Sequence, residues 1–244
     1  MNKIAFIGAG NMNRAIIVGL VSNGMDPKNI IVSNPSPQKR LALAEEFGIQ
    51  QTADNLEAAR FAPTIVLGVK PHLIQDVCRE IKAKLDVSEK CFISIAAGCT
   101  MAQIQSALGG EQAVIRTMPN TPSQLGLGVT GIFASDEVTQ AQRDIADKLM
   151  KAVGIVMWLE QEKQIDDIIA VSGSAPAYFF LFMEIMEKHA QTLGFSAEDS
   201  RKLVQQTALG AAQMVCQNDE SIGQLRENVT SKGGTTQAAL ATFN

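Results

Sequence analysis

The sequence predicts an α/β chain in two parts: a doubly wound parallel sheet over residues 1–160, then an all-helical domain over residues 161–244. Three observations predict it. Short apolar runs alternate with segments of helical period up to about residue 160, the pattern of parallel strands joined by crossover helices. The first run opens directly into a glycine-rich turn, Gly8-Ala9-Gly10-Asn11-Met12-Asn13. After Leu159 the apolar runs stop while helical period continues.

Strands are expected at residues 3–7, 30–33, 64–69, 91–95, 113–118, 129–134 and 155–159, most of them apolar throughout, as strands covered on both faces are. A helix is expected after the glycine turn, from about Met12 to Val21. Ser36 followed by Pro37 suits a helix start, and Gly48 suits its left-handed stop. Asp54 with Glu57 and Thr100 with Gln103 have capping-box spacing, and Thr139 and Gly154 bracket a further helix. In the helical part, breaks are expected at Gly173 and at residues 194–196, 218–221 and 232–234. The helix over residues 176–193 is apolar around much of its circumference (Phe179, Phe180, Leu181, Phe182, Ile185, Met186), so it should be buried in this chain or against a copy of it.

Composition narrows the partners. The net charge of −4 and the absence of a Lys/Arg-rich run leave no footprint for a nucleic-acid backbone or an anionic membrane, so a small molecule is expected instead. Cys78, Cys91, Cys99 and Cys216 show no C-x-x-C pair and no histidine cluster to complete a metal site; they read as reduced, mostly buried thiols. The apolar stretch at residues 4–7 is too short for a signal-peptide core, and no stretch is expected to span a bilayer. The expectation is a soluble, cytoplasmic protein without a metal.

In the first turn Gly8 permits a tight bend and Gly10 lets the backbone approach a pyrophosphate at the positive end of the following helix. Set between a strand and a helix, this is a Rossmann-type dinucleotide signature rather than an ordinary glycine turn, although Asn13 occupies the third position where Gly or Ala is usual. At the end of the second strand, Ser33-Asn34-Pro35-Ser36 carries no carboxylate to repel a 2′-phosphate. The Asn34 amide and Ser36 hydroxyl, with Lys39 or Arg40 nearby, suit one; NADPH is expected over NADH, with NADH as the alternative. Gly68-Val69-Lys70-Pro71, Ala96-Ala97-Gly98 and Met118-Pro119-Asn120-Thr121-Pro122 should line the same cleft, because ligands of open α/β sheets bind beyond the carboxyl ends of strands. Gly233 and Gly234, flanked by Ser231, Thr235 and Thr236, read as a nest for a carboxylate. His72 and His189 are isolated, which argues against a histidine acid.

Taken in order, F-I-G-A-G-N-M, V-K-P, S-I-A-A-G, M-P-N-T-P, S-G-S-A-P-A-Y and S-K-G-G-T-T resemble the motifs of the pyrroline-5-carboxylate reductase family over almost the whole chain. The resemblance implies an NAD(P)H-dependent reduction of the C=N bond of 1-pyrroline-5-carboxylate to L-proline, the last step of proline biosynthesis. It implies that Gly8, Ala9, Gly10, Asn11 and Met12 hold the pyrophosphate and that Asn34 and Asn55 lie near the 2′-phosphate. Val69, Lys70, Pro71, Ala96 and Ala97 would flank the nicotinamide side. Asn228, Ser231, Gly233, Gly234, Thr235 and Thr236 would form the substrate loop, with Thr236 beside the imine nitrogen as the catalytic residue, and the helical domain would dimerise. Asn13, Ala175 and Lys232 depart from the family pattern, the last adding a charge to the substrate loop. Similar proteins continue with another helix beyond the position of Asn244, so a chain ending there is expected to have an altered dimer interface. The rival readings are another two-domain reductase, such as a β-hydroxyacid dehydrogenase, and a regulatory protein that senses NADPH without turnover.

Overall fold

The computed structural model describes residues 3–243. Eight strands form one sheet: β1 (Ile4–Ile7), β2 (Ile30–Ser33), β3 (Gln50–Thr52), β4 (Thr64–Leu67), β5 (Cys91–Ser94), β6 (Val114–Met118), β7 (Gly128–Ala134) and β8 (Gly154–Trp158), in the order β3-β2-β1-β4-β5-β6-β7-β8. β1, β2, β4 and β5 are buried at every position. Their side chains alternate between two cores. Ile4 and Phe6 pack with α1 (Asn11–Ser22), α2 (Pro37–Phe47) and α6 (Gln140–Lys151) through Ile16, Leu20, Leu43 and Leu149. Ala5 and Ile7 pack with α3 (Asn55–Phe61), α4 (Ile74–Lys84) and α5 (Met101–Ala107) through Leu56, Ile81 and Ile104. Each fully buried side chain of the size of Phe6 or Ile81 stabilises the fold by roughly 2 kcal/mol.

Four features differ from the expected pattern. β3 has no apolar run, since Gln50-Gln51-Thr52 is a three-residue edge strand with only Thr52 buried. β7 lies antiparallel to β6, because residues 119–127 between them are too few for a crossover helix, and β8 follows β7 in parallel. Gly154 does not stop α6, which ends at Lys151. It opens β8 instead, with φ 149°, where a Cβ would fall 2.0 Å from the Gly128 carbonyl oxygen.

The fourth concerns Gly173. Helical residues run on from α7 (Gln164–Ile168) through a π-turn at Ile169–Gly173 into α8 (Ala175–Thr192). The Ser174 N–H reaches back five residues to the Ile169 carbonyl at 2.8 Å. Pro176 has no N–H for the Ser172 carbonyl, and the Asn120 Nδ2 donates to that carbonyl instead, at 3.0 Å. The resulting stretch, Gln164–Thr192, is long and apolar enough by length and composition to cross a membrane, which corrects the expectation that no such stretch exists.

The chain divides into two compact units within α8, at Pro176 and Ala177; residue 160 marks where the strands give way to helices. In the second unit α9 (Ala197–Gln217), α10 (Ile222–Asn228) and α11 (Thr235–Leu240) follow the rest of α8. Tyr178, Phe179, Phe180 and Leu181 are each more than half exposed in the single chain.

Candidate active site

The strand order reverses between β1 and β4, and the turns after these strands are the natural place for a ligand. The Gly8 N–H donates to the Ser33 carbonyl at 2.8 Å and the Gly68 N–H to the Ile7 carbonyl at 2.9 Å, which draws the ends of β1, β2 and β4 together. Gly8 adopts φ 100°, and a Cβ there would lie 2.5 Å from the Gly68 carbonyl oxygen. Gly10 is different. A Cβ on it would have only that oxygen nearby, at 3.8 Å, so its bareness keeps open the space in front of α1. No side chain caps α1 and no acidic residue sits in its first turn, leaving Asn11 and Met12 at an unneutralised positive helix end. These features fit a dinucleotide pyrophosphate.

Asn34 stands beside this turn. Its Oδ1 accepts from the Ala9 N–H at 3.1 Å and its Nδ2 donates to the Ser36 carbonyl at 3.1 Å, so the amide shapes the turn while remaining partly exposed. The Ala9 N–H is therefore already engaged. Ser33 Oγ donates to Asn55 Oδ1 at 2.8 Å, which brings Asn55 next to Asn34. Ser36 Oγ donates to Gln38, Arg40 is bound to Gln51 of β3, and Lys39 is exposed. No carboxylate lies in the β2 turn itself.

On the other side of the reversal, Val69 is half-buried and Lys70 and Pro71 are exposed at the start of a short 3-10 turn. The Ile95 N–H donates to the Leu67 carbonyl at 3.2 Å, and Ser94 Oγ accepts from the Ala96 N–H at 3.3 Å, which sets Ala96 and Ala97 beside the β4 turn. Two sets of hydrogen bonds support this face, one centred on Glu162 and one on Asn120, a residue expected to line the cleft. A single oxygen of Glu162 accepts from buried Arg116 at 2.6 Å and from the Met101 N–H, in the first turn of α5, at 2.7 Å. Asn120 accepts from the Val129 N–H at 2.9 Å while holding Ser172. Arg116 carried a signal, since a charge inside an otherwise apolar strand demands a partner; that the partner is Glu162 is not deducible from spacing.

The remaining candidates belong to the second unit, between the end of α10 and the first turn of α11. Asn228 donates to Glu220 at 2.8 Å and accepts from Gln224 at 2.9 Å. Gly233 has φ 76° and donates its N–H to Gln237 Oε1 at 2.6 Å, while the Gly234 N–H donates to the Ser231 carbonyl at 3.0 Å. Two amides of the expected nest are thus used inside the loop. Thr235 and Thr236 are exposed at the start of α11. His72 is exposed, and His189 lies against Thr192.

Residues 3–98 match the family model described as NADP oxidoreductase coenzyme F420-dependent, and residues 162–244 match the one described as pyrroline-5-carboxylate reductase dimerisation. A dinucleotide turn on a doubly wound sheet, followed by a helical unit, defines the class: a two-domain, nicotinamide-nucleotide-dependent oxidoreductase. The chain is 54% identical over 243 residues to the pyrroline-5-carboxylate reductase of Vibrio alginolyticus, covering 99% of this chain and 89% of that protein. A pyrroline-5-carboxylate reductase structure from Coxiella burnetii matches with TM-score 0.92 and 45% identity over 99% of this chain and 90% of that one. Plasmodium falciparum pyrroline carboxylate reductase, solved with NADP bound, matches with TM-score 0.87 and 30% identity over 99% and 88%. The chain belongs to the pyrroline-5-carboxylate reductase family.

Proposed function

We propose that this chain reduces the C=N bond of 1-pyrroline-5-carboxylate, with NADPH as reductant, to give L-proline. The observation that carries this reading is its similarity to pyrroline-5-carboxylate reductases along 99% of its length. The open, uncapped turn before α1 supports it. Gly8 to Met12 would hold the pyrophosphate; Asn34, Asn55 and Ser36 would surround the 2′-phosphate; Val69, Lys70, Pro71, Ala96 and Ala97 would flank the nicotinamide. When bound, NADPH supplies the hydride.

Reduction also needs a proton on nitrogen, because an iminium accepts hydride far better than a neutral imine. Asn228, Ser231, Gly233, Gly234 and Thr235 would form the loop that receives the substrate carboxylate, leaving Thr236 to donate a hydrogen bond to the imine nitrogen. A threonine hydroxyl is a weak acid, so water supplies the proton through it. The chain acts as a homodimer or larger assembly through its helical unit, and its buried free thiols Cys78, Cys91 and Cys99 suit the reducing cytoplasm.

The test is the fall in NADPH absorbance when purified protein meets racemic pyrroline-5-carboxylate, with the six-membered imine and NADH in parallel. Oxidation fastest with the five-membered ring and NADPH is expected. Binding of NADPH without turnover would replace this reading with a sensing role.

A further inference from the structure

Asn13 occupies the helix position that in dinucleotide turns is usually glycine or alanine, so that the helix can pack closely on its strand. Here the side chain is 1% exposed and lies under the turn. Its Nδ2 donates to the Gly8 carbonyl at 2.7 Å and to the Ile7 carbonyl at 3.4 Å. The space it fills is provided from the other side of the strand reversal. A Cβ on Gly68 would fall 2.1 Å from Asn13 Nδ2, 2.5 Å from Cγ and 2.6 Å from Oδ1. Gly68 has no left-handed φ, so its backbone would accept an alanine, and the three atoms its Cβ would meet first all belong to the Asn13 carboxamide. Making room would swing that carboxamide off the Gly8 carbonyl. The same Gly68 carbonyl oxygen lies 2.5 Å from where a Cβ on Gly8 would fall.

We infer that Asn13 and Gly68 are a coupled pair of positioning residues: Asn13 ties down the pyrophosphate turn and Gly68 is bare to admit it, together setting the spacing between the β1 and β4 turns on which NADPH affinity depends. The inference rests on reading this turn as the NADPH site.

A double-mutant cycle tests it, using Asn13→Ala, Gly68→Ala and the combination, with NADPH affinity read by nucleotide fluorescence and folding by thermal midpoint. In the otherwise native protein Gly68→Ala should weaken NADPH binding by about tenfold or more, whereas in the Asn13→Ala background it should cost nothing, the new methyl entering the vacated space. The KM for pyrroline-5-carboxylate at saturating NADPH should stay within about twofold, a split that general loosening of the fold would not give. If Gly68→Ala fails to fold and the double variant folds, the coupling stands. Equal costs in both backgrounds, a harmless Gly68→Ala in the native background, or failure of the double variant to fold would overturn it. If the native protein binds no NADPH, the cofactor reading and the positioning role fall together, while non-additive thermal midpoints would still report the steric pair.

Discussion

Thr236 and the cysteines show what single side chains are expected to do. Thr236 is exposed at the start of α11 and holds no part of a core, so Thr236→Ala should leave folding and NADPH binding nearly intact. It should lower kcat/KM by about 10²-fold, in the range usual for a positioned proton-transfer group. Steady-state kinetics decide this, and unchanged turnover would remove Thr236 from the mechanism. Cys78 and Cys91 lie in the second and first cores, and burial pushes both thiols from 9.0 up to about 12. They stay neutral in the folded protein where the unfolded chain would ionise. Their contribution to stability is therefore complete below about pH 9 and lost as the pH rises toward 12. Urea midpoints that fall over this window, together with resistance of both thiols to iodoacetamide at pH 8, are expected; ready alkylation of either in the folded protein would contradict it. Asn13 marks the limit of reading residues singly. It stands where Gly or Ala is usual, and the structure accommodates its side chain through a glycine 55 positions away in the sequence.

Among the elements, the strands buried on both faces, the capping box at Thr100 with Gln103 and the helix start at Thr139 were legible because each is a local pattern; the structure adds a second complete box at Thr139, closed by Gln142. Asp54 caps α3 alone, since Glu57 turns instead to Thr52. β3 was illegible for a physical reason. An edge strand needs little apolar surface, and its pairing with β2 is a tertiary fact. The expected break at Gly173 failed similarly, because the carbonyl orphaned by Pro176 finds Asn120 more than fifty residues earlier in the chain. Asn120→Ala leaves that carbonyl and the Val129 N–H without their partner and should destabilise the first unit by about 2 kcal/mol. Urea denaturation with an unchanged m-value is the check, and a loss below experimental error would deny Asn120 this role.

For the whole molecule, the apolar character of α8 was plain in the sequence and its cover was not. Phe179 and Phe180 are 66% and 62% exposed in the single chain, too large an apolar face to leave in water. Light scattering at micromolar concentration should give a dimer or larger assembly, and Phe180→Glu should shift it toward monomer. A native monomer would remove the dimer from the proposal. The candidate site was legible as motifs along the chain. What the sequence withheld was the set of bonds that join the β1, β2 and β4 turns, and the supports at Arg116, Glu162 and Asn120. In the proposed reaction a hydride passes from NADPH to an imine carbon. The most direct measurement is turnover with NADPH deuterated at the transferring C4 position, followed by mass spectrometry and NMR of the product. One deuterium on the proline carbon that had been doubly bonded to nitrogen is the predicted result; unlabelled proline, or no proline at all, would contradict it.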